Sequence, residues 1–166
     1  MDASARARKL RLMAFDVDGV MTDGSIYYTD AGTELKAFNA LDGAGLKMLE
    51  KAGITVAIIT GRQAACVEQR ARNLGIERLH QGVHDKVACL QTMLADLGLD
   101  ATAAGYMGDD VMDLGAMGLC GFAVAPANAH DAVLQRAHLV TRKQGGHGAV
   151  REACDFVLAA QGRLDD

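Results

Sequence analysis

Tryptophan is absent from this 166-residue chain, proline occurs once, and four phenylalanines and three tyrosines are its only large aromatic rings. A base-stacking surface is therefore not expected. Positive charge does not dominate either. Seventeen Lys and Arg face 21 Asp and Glu, for a formal net charge of −4, so there is no general basic field for nucleic acid. The four cysteines, Cys66, Cys89, Cys120 and Cys154, form no C-x-x-C pair. They read as reduced, small apolar side chains of a cytosolic protein, not as a disulfide framework or zinc site. The five histidines are scattered and make no ligand cluster. No apolar run is long enough to span a membrane. Met1 to Arg11 is basic but lacks an apolar core and a cleavage-like site. It is expected to be a loose terminus and not a signal peptide.

Half of the residues are hydrophobic and 23% are charged, which suits one globular domain spanning residues 1–166 with a sizeable core. No internal repeat, low-complexity segment or interdomain linker interrupts it. The informative stretch is Leu12-Met13-Ala14-Phe15-Asp16-Val17-Asp18-Gly19-Val20-Met21-Thr22-Asp23-Gly24. It begins as an apolar run without polar alternation, the pattern of a strand buried on both faces. It then breaks into acids and glycines at the strand's carboxyl end, where open α/β sheets bind ligands. Two carboxylates on one turn repel each other and suit a hard, oxygen-preferring cation such as Mg²⁺. Read alone, the stretch is equally a strand followed by an acidic turn.

Ser25 to Phe38 reads as a β-hairpin turning at Asp30-Ala31-Gly32. An isolated hairpin is marginally stable in water, so it is expected to pack on the domain or on another subunit. Asn39 to Gly43 reads as a loop, with Asp42 capping a helix from Ala44 to Ala52. Strands are expected at Thr55–Ile59, Arg78–His80, Ala103–Met107, Cys120–Val124 and Leu139–Val140. Helices are expected over 63–74, 86–97, 131–137 and 149–161, with a short one ending near Met117. Pro126 ends the strand before it. This alternation predicts a Rossmann-like, doubly wound parallel α/β sheet with helices on both faces.

Four chemically loaded tips follow the apolar strands or their connections: Asp16 with Asp18, Thr60-Gly61-Arg62, Lys86, and Asp109-Asp110 with Asp113. In a parallel sheet these tips share one edge and can converge. They supply a carboxylate nucleophile, a second acid, a hydroxyl donor, a cation for phosphate, and further carboxylates for a metal, the inventory of phosphoryl transfer. Each has an ordinary alternative. Thr60 can cap a helix, Lys86 can be a solvated lysine, and Asp109 and Asp110 can be helix N-terminal acids. Arg62 can be plain surface charge.

Asp16-Val17-Asp18-Gly19-Val20-Met21-Thr22-Asp23-Gly24 resembles the first motif of the haloacid dehalogenase superfamily. Thr60, Lys86 and Gly108-Asp109-Asp110-x-x-Asp113 resemble its second, third and fourth motifs, in order. The hairpin, Phe38-Asn39-x-x-Asp42-Gly43 and Gly145-Gly146-x-Gly148-Ala149-Val150-Arg151-Glu152 resemble its capless branch acting on keto-sugar acid phosphates. The resemblance covers nearly the whole chain. It implies a Mg²⁺-dependent phosphomonoesterase with 3-deoxy-D-manno-octulosonate 8-phosphate as substrate, in lipopolysaccharide synthesis, cytoplasmic and homotetrameric. A nine-carbon keto-sugar acid phosphate is the alternative substrate.

By the same resemblance, Asp16 attacks phosphorus and Asp18 serves as acid and then base. Asp16, Asp109 and the Asp18 backbone carbonyl hold the metal. Thr60 and Lys86 hold phosphoryl oxygens, while Asp110 and Asp113 orient Lys86 or metal waters. Asn39, Ala40, Leu41, Asp42, Gly43, Lys47, Arg62 and Arg70 contact the sugar acid, joined there by Asp18 and Lys86. Lys47 stands where some relatives carry Arg, and loses the bidentate fork. Lys47 and Arg70 read equally as solvated charge. The Gly145–Gly148 loop is expected to reach a neighbouring subunit's site through its backbone and not through His147. Its removal is therefore expected to impair turnover more than folding. A signalling receiver domain is the rival from another class. It carries its phosphorylated Asp on a later strand than its acidic pair, whereas here Asp16 and Asp18 share the first. A binding module without catalysis is a third reading, disfavoured because no motif residue is missing.

Overall fold

The computed structural model describes residues 2–164; Met1 of the expected loose terminus and residues 165–166 of the expected domain lie outside the described residues. The first apolar run forms β1 (Leu12–Phe15), buried at all four positions. Its alternate side chains enter two separate cores, Met13 and Phe15 on one face and Leu12 and Ala14 on the other. β1 pairs in parallel with β4 (Thr55–Ile59) on one side and β6 (Ala104–Met107) on the other. The chain moves outward from β1 through β4 to β5 (Arg78–His80). It then crosses back to β6 and moves the other way through β7 (Phe122–Ala125) to β8 (Leu139–Val140), in the order β5-β4-β1-β6-β7-β8. The direction of winding reverses between β1 and β6, the switch point at which such sheets open a crevice.

Helices α2 (Ala40–Lys51), α3 (Ala65–Leu74) and α7 (Ala149–Ala160) cover the first face. Helices α4 (Lys86–Leu97), α5 (Leu114–Leu119) and α6 (Asp131–Leu134) cover the second. The doubly wound α/β architecture is thus as expected. So is the antiparallel hairpin of β2 (Tyr27–Tyr28) and β3 (Glu34–Leu35), although only two residues of each arm pair as strand.

Three expectations need correction. The amino terminus is ordered. α1 (Ala3–Ala7) is capped by Asp2, Ala7 and Leu10 are buried, and Arg6 donates to the Gly121 carbonyl at 2.7 Å. Its short apolar spacing gives no periodicity to read, yet it closes the end of the core beside α7. The Asn39–Gly43 stretch is not a loop capped by Asp42. Asn39 is the cap, accepting from the amides of Leu41 and Asp42 at 2.8 and 3.3 Å, and α2 therefore starts at Ala40. Asp42 turns inward instead and accepts from the Arg151 amide at 2.9 Å. Thr60, in turn, does not cap α3, whose N-cap is Ala64.

The third correction concerns the C-terminal segment. α7 buries Ala149, Val150, Ala153, Cys154, Val157 and Leu158 in the first core. Truncation before Gly145 is therefore expected to abolish cooperative unfolding, not merely slow turnover. The milder Leu158→Ala is expected to cost about 2–5 kcal/mol, the range for a buried leucine. Urea titration followed by circular dichroism checks both; a truncated chain with a native-like transition would overturn the assignment.

Candidate active site

The turn after β1 is wound around two oxygens. The Val17 carbonyl accepts from the amides of Val20, Met21 and Thr22 at 3.2, 2.8 and 3.1 Å. The Thr22 hydroxyl accepts from the amide of Gly24 at 3.1 Å. Gly19 sits at φ +81°, and a Cβ there would lie 2.0 Å from Asp109 Oδ2. Glycine is required here both by conformation and by the approach of that carboxylate. The turn is braced from the C-terminal side. Asn128 donates to the Gly19 carbonyl at 3.2 Å and accepts from the Gly145 amide at 2.7 Å, while the Gly146 amide donates to Val20 O at 3.1 Å. A Cβ on Gly145 would lie 1.9 Å from Gly19 O. The glycine-rich segment packs on its own chain's acidic turn, at a distance too short for any side chain. His147 beside it is exposed.

Asp16 and Lys86 meet under this turn. Lys86 Nζ lies 2.7 Å from Asp16 Oδ2 and 2.6 Å from Asp113 Oδ1, with all three residues buried. Lys86 occupies the first turn of α4, the end that the helix dipole disfavours for a cation. Burial also works against its charge, but Asp16 and Asp113 outweigh burial and its pKa is raised. Asp113 is fully engaged. Its Oδ1 also accepts from the Tyr106 hydroxyl at 3.0 Å, and its Oδ2 accepts from the amides of Asp109 and Asp110 at 3.0 and 3.2 Å. Asp110 caps the single 3₁₀ turn Val111–Asp113 that presents it.

Oxygens of Asp16, Asp109 and Asp113 lie within 4.8 Å of one another. Burial first, and then the charge on Asp113, push Asp16 up to about 6 against the pull of Lys86. Burial, followed by Asp113, Asp16 and Asp110, pushes Asp109 up to about 7. Such a set of hard oxygen donors carries more negative charge than Lys86 alone offsets, and it fits a divalent cation. Since Asp113 has no oxygen to spare, Asp16 and Asp109 are the carboxylates available to a metal.

These residues line a cleft of 270 Å³ together with Asp18, Gly19, Thr60, Gly61, Arg62, Asp110 and Met112. A larger hollow of 420 Å³ lies at the opposite end of the sheet, at the amino ends of β4 and β5, and gathers no comparable set of acids. The structure therefore brings Asp16, Asp18, Thr60, Arg62, Lys86, Asp109, Asp110 and Asp113 together. It does not bring Asn39, Ala40, Leu41, Asp42, Gly43, Lys47 or Arg70 to this cleft. Arg70 instead donates to the Asn39 carbonyl at 3.1 Å and lies over the Phe38 ring. Ala40, Leu41 and Lys47 are exposed on α2.

The hairpin also contributes groups that the motifs did not flag. Lys36 pairs with Asp18 and, at 2.7 Å, with Glu34. Glu34 also holds Arg62 at 2.7 Å, and Arg62 donates to the Tyr28 hydroxyl at 3.2 Å. The alternation Glu34-Leu35-Lys36 carried the signal, since residues two apart on a strand share a face. The opposite face leaves the cross-strand pair Tyr27 and Leu35 exposed.

Residues 79–152 match the haloacid dehalogenase-like hydrolase model. The chain is 49% identical to 3-deoxy-D-manno-octulosonate 8-phosphate phosphatase of Yersinia pestis, over 99% of this chain and 88% of that protein. It is 47% identical to the enzyme of that name from Escherichia coli K12, with the same coverage. The crystal structure of the Yersinia pestis phosphatase superposes with a TM-score of 0.97, covering 99% of this chain and 89% of that one. The phosphatase of that name from Moraxella catarrhalis, solved with magnesium, phosphate and 3-deoxy-D-manno-octulosonate (KDO), superposes with a TM-score of 0.96 at 42% identity. It covers 98% of this chain and 94% of that one.

The raised carboxylates predict a pH response of known sign. Unfolded, Asp ionises near 3.8, whereas Asp16 and Asp109 do so at about 6 and about 7 when folded. Between those values the native state binds the extra protons, so stability in EDTA is expected to fall as pH rises from about 4 to 7. The Glu152 carboxyl, held below its ordinary 4.5, acts in the opposite sense only at lower pH. Saturating Mg²⁺ is expected to remove the decline, because the cation binds the ionised pair. Melting curves in EDTA and in Mg²⁺ across this range check it; a midpoint indifferent to Mg²⁺ above pH 7 would contradict the assignment.

Proposed function

The chain belongs to the 3-deoxy-D-manno-octulosonate 8-phosphate phosphatase family of haloacid dehalogenase-like hydrolases, and from that premise we propose that it hydrolyses this sugar phosphate at the cleft beneath β1 and β6. The observation that carries the reading is the Lys86 ammonium shared between Asp16 and Asp113 beside the Asp109 carboxylate. It combines a buried carboxylate, a phosphate-binding cation and a metal-binding acid at one sheet edge.

Mg²⁺ is the cofactor, and in this reading Asp16 and Asp109 would hold it with the backbone carbonyl of Asp18. Its positive charge offsets the repulsion between an anionic nucleophile and an anionic phosphate. Asp16 attacks phosphorus. The bond to the sugar oxygen breaks, and Asp18 delivers a proton to that oxygen, releasing KDO and leaving an aspartyl-phosphate on Asp16. Asp18, now a carboxylate, takes a proton from water as the water attacks the same phosphorus. The bond to Asp16 breaks and inorganic phosphate departs. Thr60 and Lys86 bind the phosphoryl oxygens, and Asp110 and Asp113 hold Lys86 and the metal's surroundings in place.

The same reading assigns the sugar acid to Arg62 and to the group Asn39, Ala40, Leu41, Asp42, Gly43, Lys47 and Arg70. None of the latter lines the cleft of its own chain, so the assignment requires a second copy to bring them there. A homotetramer with shared hairpins meets that requirement, and the exposed Ile26, Tyr27 and Leu35 support it. One catalytic domain over residues 1–166, a cytoplasmic location and a role in lipopolysaccharide synthesis complete the proposal. No helix among the described residues is long and apolar enough to cross a membrane.

Phosphate release from a panel of eight- and nine-carbon keto-sugar acid phosphates, with Mg²⁺ and with EDTA, tests the reading. EDTA-sensitive preference for the eight-carbon compound is expected, and preference for the nine-carbon one would overturn the named substrate. Asp16→Asn is expected to lower turnover at least about a thousandfold while retaining cooperative unfolding, because an amide does not replace the nucleophile. Appreciable turnover by that variant would sink the covalent route.

A further inference from the structure

The Lys36 side chain is 0% exposed, although it belongs to a hairpin whose tip stands in solvent. A buried ammonium is tolerated only where carboxylates meet it. Lys36 has two, Asp18 Oδ1 and Glu34 Oε1. The second Asp18 oxygen faces Arg62 at 3.9 Å, but Arg62 is 42% exposed and already engaged by Glu34 at 2.7 Å. Exposed pairs of that length are weak and hold geometry poorly. Lys36 is therefore the cation that fixes the direction of the Asp18 carboxylate. Glu34 pairs with Lys36 in turn, Oε1 lying 2.7 Å from Nζ.

Resting on the phosphatase reading above, we propose that Lys36 is a positioning residue for the reaction. By donating to one Asp18 oxygen, Oδ1, it holds the other where the proton it carries passes to the leaving sugar oxygen and is later taken from the attacking water. The hairpin thereby becomes part of the catalytic apparatus of its own chain, in addition to any role of its outer face. Proton transfer demands heavy-atom distances of about 2.6–3.2 Å, and a carboxylate released by about 1 Å loses rate by up to about a hundredfold. No proton leaves Lys36 itself in this account.

The test compares two leaving groups. The alkoxide of the sugar substrate needs a proton, whereas p-nitrophenolate departs without one. kcat/KM is measured at saturating Mg²⁺ for 3-deoxy-D-manno-octulosonate 8-phosphate and for p-nitrophenyl phosphate. The enzymes are the wild type, Lys36→Met, Lys36→Arg, Asp18→Asn and the Lys36→Met/Asp18→Asn double variant. Lys36→Met is expected to lose at least about tenfold more on the sugar phosphate than on the aryl phosphate. Lys36→Arg is expected to recover most of the difference. In the Asp18→Asn background the Lys36→Met change is expected to add less than about twofold, because the two residues act as one unit. Equal losses on both substrates, or fully additive losses in the double variant, would overturn the proposal. Glu34→Gln, which removes the other partner of Lys36, is expected to show the same leaving-group signature at smaller size. If both Lys36→Met and Glu34→Gln lose cooperative unfolding, Lys36 is a structural residue and the proposal falls. A wild-type enzyme without EDTA-sensitive release from the sugar phosphate would instead mark failure of the phosphatase reading itself.

Discussion

Three carboxylates whose oxygens lie within 4.8 Å of one another are an unfavourable thing to bury, and Lys86 is the charge that makes the arrangement possible. Its ammonium is shared by Asp16 from the first strand and Asp113 from a turn almost a hundred residues later. The compensation is incomplete. Asp16 and Asp109 remain pushed up to about 6 and about 7, chiefly by burial and then by their like-charged neighbours. That residual imbalance is what a divalent cation satisfies, so the electrostatic problem of the folded chain and its chemistry are the same fact.

The sheet exists to bring those charges together. β1 lies between β4 and β6 with every residue buried, and its two faces feed two cores. The winding reverses beside it, so the turns after β1 and β6 face each other over one crevice. Turns that carry so many acids do not hold themselves. The Gly19 turn is held by Asn128 and by Gly145 and Gly146, which approach closely because they lack side chains. α7 then anchors that glycine segment through six buried residues, which ties the C-terminal helix to the geometry of Asp16.

The hairpin shows how two surfaces of one element can do separate jobs. Its inner face, Tyr28, Glu34 and Lys36, joins a charged network with Arg62 and Asp18. Its outer face leaves Tyr27 and Leu35 in solvent. An isolated hairpin of two paired residues per arm has little stability of its own. The ion pairs that dock it are the same ones that orient Asp18.

The amino-acid sequence by itself determined the parallel sheet, the order of its elements and the residues at the four loaded tips. Unbroken apolar runs, glycine stops and acidic turns are local signals, and a parallel sheet delivers strand ends to a common edge whatever the loops do. It did not reveal that Asn39, not Asp42, begins α2, because both residues cap helices well and only the inward pull of the Arg151 amide separates them. Nor did it reveal the ordered α1, the self-docked glycine segment, the separation of Arg70 and Lys47 from the cleft, or the burial of Lys36. Those depend on contacts between residues far apart in the chain, which leave no periodicity in the sequence. The identity of the chemical groups was written locally; which of them share a charge was decided only when the tertiary structure brought them within hydrogen-bonding distance.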